Sequence, residues 1–302
     1  MNDDTTETTE PWLVELLVHS DPGPLVRKHL SLLNVLALSR ACKSLHKFVL
    51  DETTRARNFW TTLEVEAVEI HRRVTPIEAI NWHATYHAAK TGYLLMLAYL
   101  HENGYSWSSG VCVVAAKCGH LDCLKYAHEN GCPWRSRVCA SAAENGHLYC
   151  LQYAHENGCP WEEDTCWRAA EEGHLDCLQY AHEHGCPCNE GVCESAAYYG
   201  QLACLVYAHE NGCPWDERTS WVAAKYGRLN CLQYLHEHGC PWDEETCYAA
   251  AEKGEIDCLQ YAHEHGCPWN RVTCRFAAYY GQLACLQYLR ENNCPGWEEE
   301  YV

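Results

Sequence analysis

The sequence predicts an all-α solenoid of stacked helix pairs, preceded by a small helical module. Three observations lead there. A phrase close to A-A-E-x-G-H-L-D-C-L-Q-Y-A-H-E-N-G-C-P-W recurs seven times, its punctuating glycine falling at Gly119, Gly146, Gly173, Gly200, Gly227, Gly254 and Gly281, 27 residues apart at every step. A degraded copy, punctuated by Gly92, lies one more period upstream. Each copy divides at this glycine into two short segments with helical apolar spacing, and neither can bury its apolar side alone. A fixed period of this size is how an array of stacked supersecondary units is written, because each unit needs its neighbours to complete a core.

Taken in order, residues 1–10 form a polar, acidic, Thr-rich tail without the basic start and apolar run of a signal peptide. Residues 11–56 read as a small helical module. Pro11-Trp12-Leu13-Val14-Glu15-Leu16-Leu17-Val18 has an apolar run with a proline at its start. The stretch Asp21-Pro22-Gly23-Pro24 breaks it. A second run from Leu32 to Leu45 places Leu32, Val35, Leu36, Cys42 and Leu45 at helical spacing. Residues 57–80 form a connecting helical segment, with Thr75-Pro76 as a helix start. The array fills residues 81–297, and 298–302 are a short tail.

The N-terminal module resembles the F-box. Glu15-Leu16-Leu17 and the stretch Asn34-Val35-Leu36-Ala37-Leu38-Ser39-Arg40-Ala41-Cys42-Lys43-Ser44-Leu45 carry the resemblance, with Asn34 in place of the usual Asp and an insertion around Asp21–Pro24. The resemblance implies docking on a Skp-type adaptor protein of a cullin–RING ubiquitin ligase. Pro11, Leu13, Leu16, Leu17, Leu32, Leu33, Leu36, Leu38, Cys42 and Leu45 would make that contact. The competing reading is that these helices only cap the array, since a terminal repeat needs covering.

Within a copy, the first helix follows the tryptophan and ends at the punctuating glycine. Asn189, Asp216, Asp243 and Asn270 stand where a side chain can cap its exposed N–H groups. The second helix ends at a glycine such as Gly266, suited to a left-handed backbone, and the following Pro268 cannot continue it. In one copy Cys247, Ala250 and Ala251 face Ile256, Cys258, Leu259 and Ala262. The tryptophan adds apolar surface at the seam between copies.

These copies resemble ankyrin repeats, whose motif A-A-x-x-G-H-x-x-V-V-x-L-L-x-x-x-G-A stands here as the run from Ala169 to Cys186. The family's T-P-L-H start is replaced by T-C, and the period is 27 rather than about 33 residues. The missing residues are those of the β-hairpin finger, so short links and little or no sheet are expected. The Cys-rich G-C-P-W phrase resembles arrays encoded by large DNA viruses of amoebae and algae. That resemblance would place the protein in a host cytoplasm.

Composition narrows the partners. The formal charge is −19, from 41 acidic against 22 basic residues, so nucleic acid is a poor partner and a basic protein a better one. No apolar stretch approaches the roughly 20 residues that span a bilayer. A cytoplasmic protein is expected, with the nucleus also open to it.

Of the 23 cysteines, 20 occupy three fixed positions of the repeat. Equivalent positions in neighbouring copies stand roughly 8–10 Å apart, beyond the about 7 Å limit for a disulfide. Bridges between unlike positions remain geometrically open, although an intracellular chain would keep them reduced. There is no C-x-x-C, and free cysteine packs as a small hydrophobe, so core packing is expected and no metal or cofactor. Cys188, which replaces a tryptophan, is the cysteine to watch for reactivity. The recurrent histidines are expected to pack and hydrogen-bond to neighbouring copies. No nucleophile stands beside a fixed base, so an enzyme is not expected.

The copies agree at core positions and vary just before the glycine and just after the first-helix cysteine. In ankyrins the positions just before the glycine line the concave binding face. Exposed Tyr, Trp and Arg anchor protein interfaces. The expected target-binding set is Tyr198, Tyr199, Tyr226, Tyr279 and Tyr280, with Trp167, Arg168, Trp221 and Arg275, and with Glu171, Glu172 and Lys253 setting the charge. The competing reading is that some of these rings pack between copies. The expected function is a substrate receptor of a ubiquitin ligase, and the alternative is an ankyrin scaffold that sequesters a protein partner.

Overall fold

The structure, a computed structural model, describes residues 81–297. The adaptor-contact residues from Pro11 to Leu45, the connector and the C-terminal tail lie outside these. The described residues fall into two compact units, 81–88 with 93–107, and 89–92 with 108–297. The degraded copy is thereby divided between them. Among the described residues every regular element is a helix, and there is no strand. The loss of six residues per copy therefore removes the finger and keeps both helices.

The chain enters through α1 (Asn81–Thr91) and α2 (Leu94–Glu102). In the first unit α2 buries Leu97 and Leu100. The Thr85 hydroxyl donates to the Ser106 carbonyl at 3.2 Å, and His101 stacks on Trp107 with ring centroids 3.9 Å apart.

The second unit is built from seven helix pairs. Their first helices are α3 (Ser109–Lys117), α5 (Arg137–Glu144), α7 (Glu163–Glu172), α9 (Glu190–Tyr199), α11 (Glu217–Lys225), α13 (Glu244–Lys253) and α15 (Arg271–Tyr279). Their second helices are α4 (Leu121–Glu129), α6 (Leu148–Glu156), α8 (Leu175–Glu183), α10 (Leu202–Glu210), α12 (Leu229–Glu237), α14 (Ile256–Glu264) and α16 (Leu283–Glu291). First helices pack on first helices and second on second, with the first row much the closer.

The sequence explains each boundary. Asn189, Asp216, Asp243 and Asn270 accept hydrogen bonds from the backbone N–H two residues on, at 2.8–3.1 Å, as N-caps should. Gly266 takes φ of +85° after the last residue of α14, a left-handed turn that costs an L side chain strain. The punctuating glycines carry a second constraint. Gly146 has φ of +69°, and a Cβ there would stand 2.6 Å from Nδ1 of His174, which opens the next copy's second helix. The residue at that opening position also fastens the copies: Arg228 Nε donates to the Tyr198 carbonyl at 3.0 Å, and Gln282 Nε2 donates to the Glu252 carbonyl at 3.1 Å.

The core is made of small residues in the first row and leucines in the second. Cys247, Ala249, Ala250 and Ala251 are fully buried, as are Leu259 and Ala262, with Cys258 almost so. Ile256, expected in the buried stripe, is only half-buried, because it begins its helix and points past the core. Burying one leucine is worth about 1.5–3 kcal/mol, and each copy repeats that gain against its neighbour.

Candidate protein-interaction face

The two rows of helices present different surfaces. On the second row, five late histidines stack on the tryptophan six residues on and reach the tyrosine of the next copy. His128 stacks on Trp134 at 3.6 Å, and its Nδ1 is hydrogen-bonded to the Tyr153 hydroxyl at 3.1 Å. The same pair of contacts recurs at His155 with Trp161 and Tyr180, at His209 with Trp215 and Tyr234, at His236 with Trp242 and Tyr261, and at His263 with Trp269 and Tyr288. This His–Trp–Tyr ladder answers the expectation for the recurrent histidines. Burial first, and then the neighbouring His184, His238 and His265 respectively, hold the His155, His209 and His236 rings below the ordinary value of 6.5.

The recurrent cysteines are core. The described free thiols are buried except Cys118, which is half-buried. Burial pushes the second-helix thiols up, Cys150 and Cys285 to about 11 and Cys123 to about 12, which makes them poor nucleophiles. The G-C-P-W thiols tie the end of a helix pair to its beginning: Cys159 donates to the Arg135 carbonyl at 3.2 Å and Cys267 to the Asp243 carbonyl at 3.1 Å. The exception is Cys213, which forms a disulfide with Cys188, their Cα atoms 5.5 Å apart. This differs from the reduced state expected of the cysteines. It joins unlike positions of consecutive copies, the arrangement that the spacing left open.

On the first row, the variable side chains collect. Trp167, Glu171, Tyr198 and Tyr199 line an open groove of about 340 Å³ with Asn189, Gly191, Glu194 and Ser195. Tyr198 lies against Tyr226 of the next copy, ring centroids 4.1 Å apart, and against Tyr199 at 4.6 Å. The Glu171 carboxylate, hydrogen-bonded to the Tyr199 hydroxyl, pushes that phenol up to about 12. Arg168 donates to Glu171 at 3.0 Å and lies over the Trp167 ring, 4.2 Å from its centroid. Glu172 is exposed beside them. A second cluster lies two copies on. Lys225 sits 4.5 Å from the Trp221 ring centroid and 3.4 Å from Glu252, which also meets Lys253 at 3.6 Å. At the end of the row Tyr279 is 84% exposed, packed edge-on against Tyr280, and Arg275 is exposed nearby on α15.

The structure thus gathers Trp167, Arg168, Glu171, Tyr198, Tyr199 and Tyr226 into one patch, and sets Trp221 with Lys253, and Arg275 with Tyr279 and Tyr280, in two others. Both competing readings of the rings hold in part. Tyr198 and Tyr226 pack against each other across a seam, while Tyr199, Tyr279 and Tyr280 remain open to solvent. The indole N–H of Trp221 is shielded from solvent and has no acceptor, so that ring acts mainly as a platform for Lys225. The expected target-binding set omits Asn189, and also Glu194 and Ser195, although that pair varies just after the first-helix cysteine. The available signal was helical spacing, because Glu194 and Ser195 stand four residues before Tyr198 and Tyr199 and share their side of α9. It also left off Tyr248 and Phe276, which stack at 5.1 Å.

Residues 247–290 match the family model for ankyrin repeats (many copies). The crystal structure of the human ASB11 ankyrin repeat domain aligns with 19% identity and a TM-score of 0.38, over 67% of this chain and 96% of that one. The search of curated proteins returned no match. No enzyme family is among the matches. The chain carries a stack of helix pairs, of which residues 247–290 are similar to ankyrin repeats.

Proposed function

We propose that the protein is a substrate receptor of a Skp–cullin–F-box type ubiquitin ligase: the array holds a target protein, and residues 11–56 hold the Skp-type adaptor. The observation that carries the array's half is the contrast between a recurrent ladder on one row and a variable aromatic groove on the other. A groove lined by Glu171 and Glu194 on a chain of net charge −19 suits a target with a basic segment and an apolar anchor. The Leu-Ser-Arg-Ala-Cys-Lys-Ser-Leu match supports the other half. Such a receptor performs no chemistry. It raises the local concentration of target at the ligase.

The test is co-purification with a Skp-type adaptor, comparing the full chain with a Leu36→Asp, Leu45→Asp variant. Binding by the full chain alone, with both proteins equally folded, supports the receptor. Equal binding or none, with the array folded, leaves a scaffold that sequesters its partner. A Tyr199→Ala, Glu171→Ala variant should in turn lose target capture while keeping adaptor binding.

A further inference from the structure

One joint of the array is built differently from the others. Six of the described G-C-P-W or equivalent seams end in a tryptophan that stacks on the histidine six residues before it, at 3.6–4.2 Å. At the seam between the copies of α8 and α9, the phrase reads Gly185-Cys186-Pro187-Cys188, and the indole is replaced by a thiol side chain. His182 keeps its tyrosine partner, with the Tyr207 hydroxyl 3.3 Å from Nδ1 and the rings edge-on, but its face has lost the stack. Cys188 turns instead to Cys213 of the next copy.

We propose that His182, Cys188 and Cys213 form a site for a thiophilic divalent metal ion, of the zinc class, when the two cysteines are reduced. One ligand atom from each of the three lies within 4.8 Å of the others, which small side-chain rotations convert to zinc–sulfur distances of about 2.3 Å and zinc–nitrogen distances of about 2.0–2.1 Å. Two thiolates and an imidazole select zinc over magnesium or calcium, which prefer oxygen. His182 and Cys188 are half-buried and Cys213 is buried, so an ion can enter yet is largely shielded once bound. The smaller side chain at position 188 leaves beside the imidazole the room that an indole fills elsewhere. Three protein ligands leave the fourth tetrahedral position to water or to a partner's side chain.

The disulfide is the oxidised form of the same site. A dithiol reductant supplies two electrons and two protons, the S–S bond breaks, and the reductant becomes a disulfide. The metal then displaces the two thiol protons and forms two bonds to sulfur and one to nitrogen. Metal binding is therefore confined to the reduced chain. The recurrent cysteines do not compete on equal terms, because they are buried and those of the G-C-P-W phrase donate to nearby carbonyls, as Cys186 does to Glu162 at 3.2 Å.

The test uses the full chain, reduced with a phosphine under nitrogen and titrated with Co²⁺ alone, followed by Zn²⁺. Wild type should take up one equivalent of Co²⁺ with the thiolate charge-transfer and tetrahedral ligand-field bands, and one equivalent of Zn²⁺ should bleach them. Cys188→Trp restores the seam used by the other copies and should abolish the bands while the melting temperature holds. Cys188→Ser serves the same purpose if the indole does not fit. His182→Gln should weaken Zn²⁺ binding by about tenfold or more. The oxidised chain should not bind. Absence of the charge-transfer band in reduced wild type would show a disulfide only and overturn the proposal. So would an unchanged band in both Cys188 variants, which would put the metal on other cysteines.

Discussion

The two rows of helices in the 108–297 stack meet the same packing demand with opposite materials. The first row is lined with alanine and cysteine, so its helix backbones approach closely. The second row is spread by side chains, and its gaps are filled by the His–Trp–Tyr ladder. The difference teaches where variation is tolerated. A ladder that repeats one hydrogen bond and one stack from seam to seam holds its members to type, and where Cys188 replaces a tryptophan the stack is lost while His182 keeps its hydrogen bond to Tyr207. The outer side of the first row carries no such obligation, and that is where tyrosine, tryptophan, lysine and glutamate change from copy to copy.

The largest effect should come from attacking the closely packed row. Ala250 is fully buried between neighbouring first helices. Ala250→Leu should overpack the seam and cost about 3 kcal/mol in urea denaturation. A cost under 1 kcal/mol would mean that the row has slack and that the comparison is mistaken.

Next comes the glycine contrast. Gly146→Ala forces a Cβ against the His174 ring and keeps φ at +69°, for a cost of about 2 kcal/mol. Gly158→Ala, at φ of +79° with nothing within 4 Å, should cost about 1 kcal/mol. Equal losses would remove the role assigned to the histidine ring.

The ladder should be softer at any single rung. Tyr261→Phe deletes the hydrogen bond to His236, 3.0 Å long, while keeping the ring, and should cost about 1 kcal/mol. The ladder also gives the stack a pH dependence. His155, His209, His236 and His263 are held below 6.5 when folded, by burial first, so the unfolded chain takes up protons before the folded one does. Their contribution to stability is complete above about 6.5 and is lost as pH falls through that value towards the depressed folded values. Thermal unfolding between pH 7.5 and 5 should show the melting temperature falling. A flat profile would show that the rings titrate alike folded and unfolded.

The smallest effect belongs to the exposed side of the first row. Tyr279→Ala, at a residue 84% exposed, should change stability by less than about 0.5 kcal/mol. A larger loss would show that Tyr279 supports Tyr280 and the end of the stack rather than standing free for a partner.

Much of this was legible beforehand. The caps at Asn189, Asp216, Asp243 and Asn270, the glycine stops and the buried Cys–Leu–Ala stripe follow from local spacing, which acts within one helix or one turn. The histidines' partners were expected as neighbours in adjacent copies, though not as a stack on one ring and a hydrogen bond to another. The site was less legible. Glu194 and Ser195 join the groove because they share a helix side with Tyr198 and Tyr199. Tyr226 joins the patch because the next copy's helix lies alongside.

By itself the sequence determined the period, the helix pairs, their boundaries and the composition of each seam, because all of these depend on residues close along the chain or on repetition itself. Only the tertiary structure decided which tyrosines pack on each other and which stay open, and that Cys188 meets Cys213. Those residues are separated by 25 or more positions, and the distance between them is set by how far each copy advances and turns relative to the last. That geometry arises from the packing of whole helices, and no short stretch of the chain contains it.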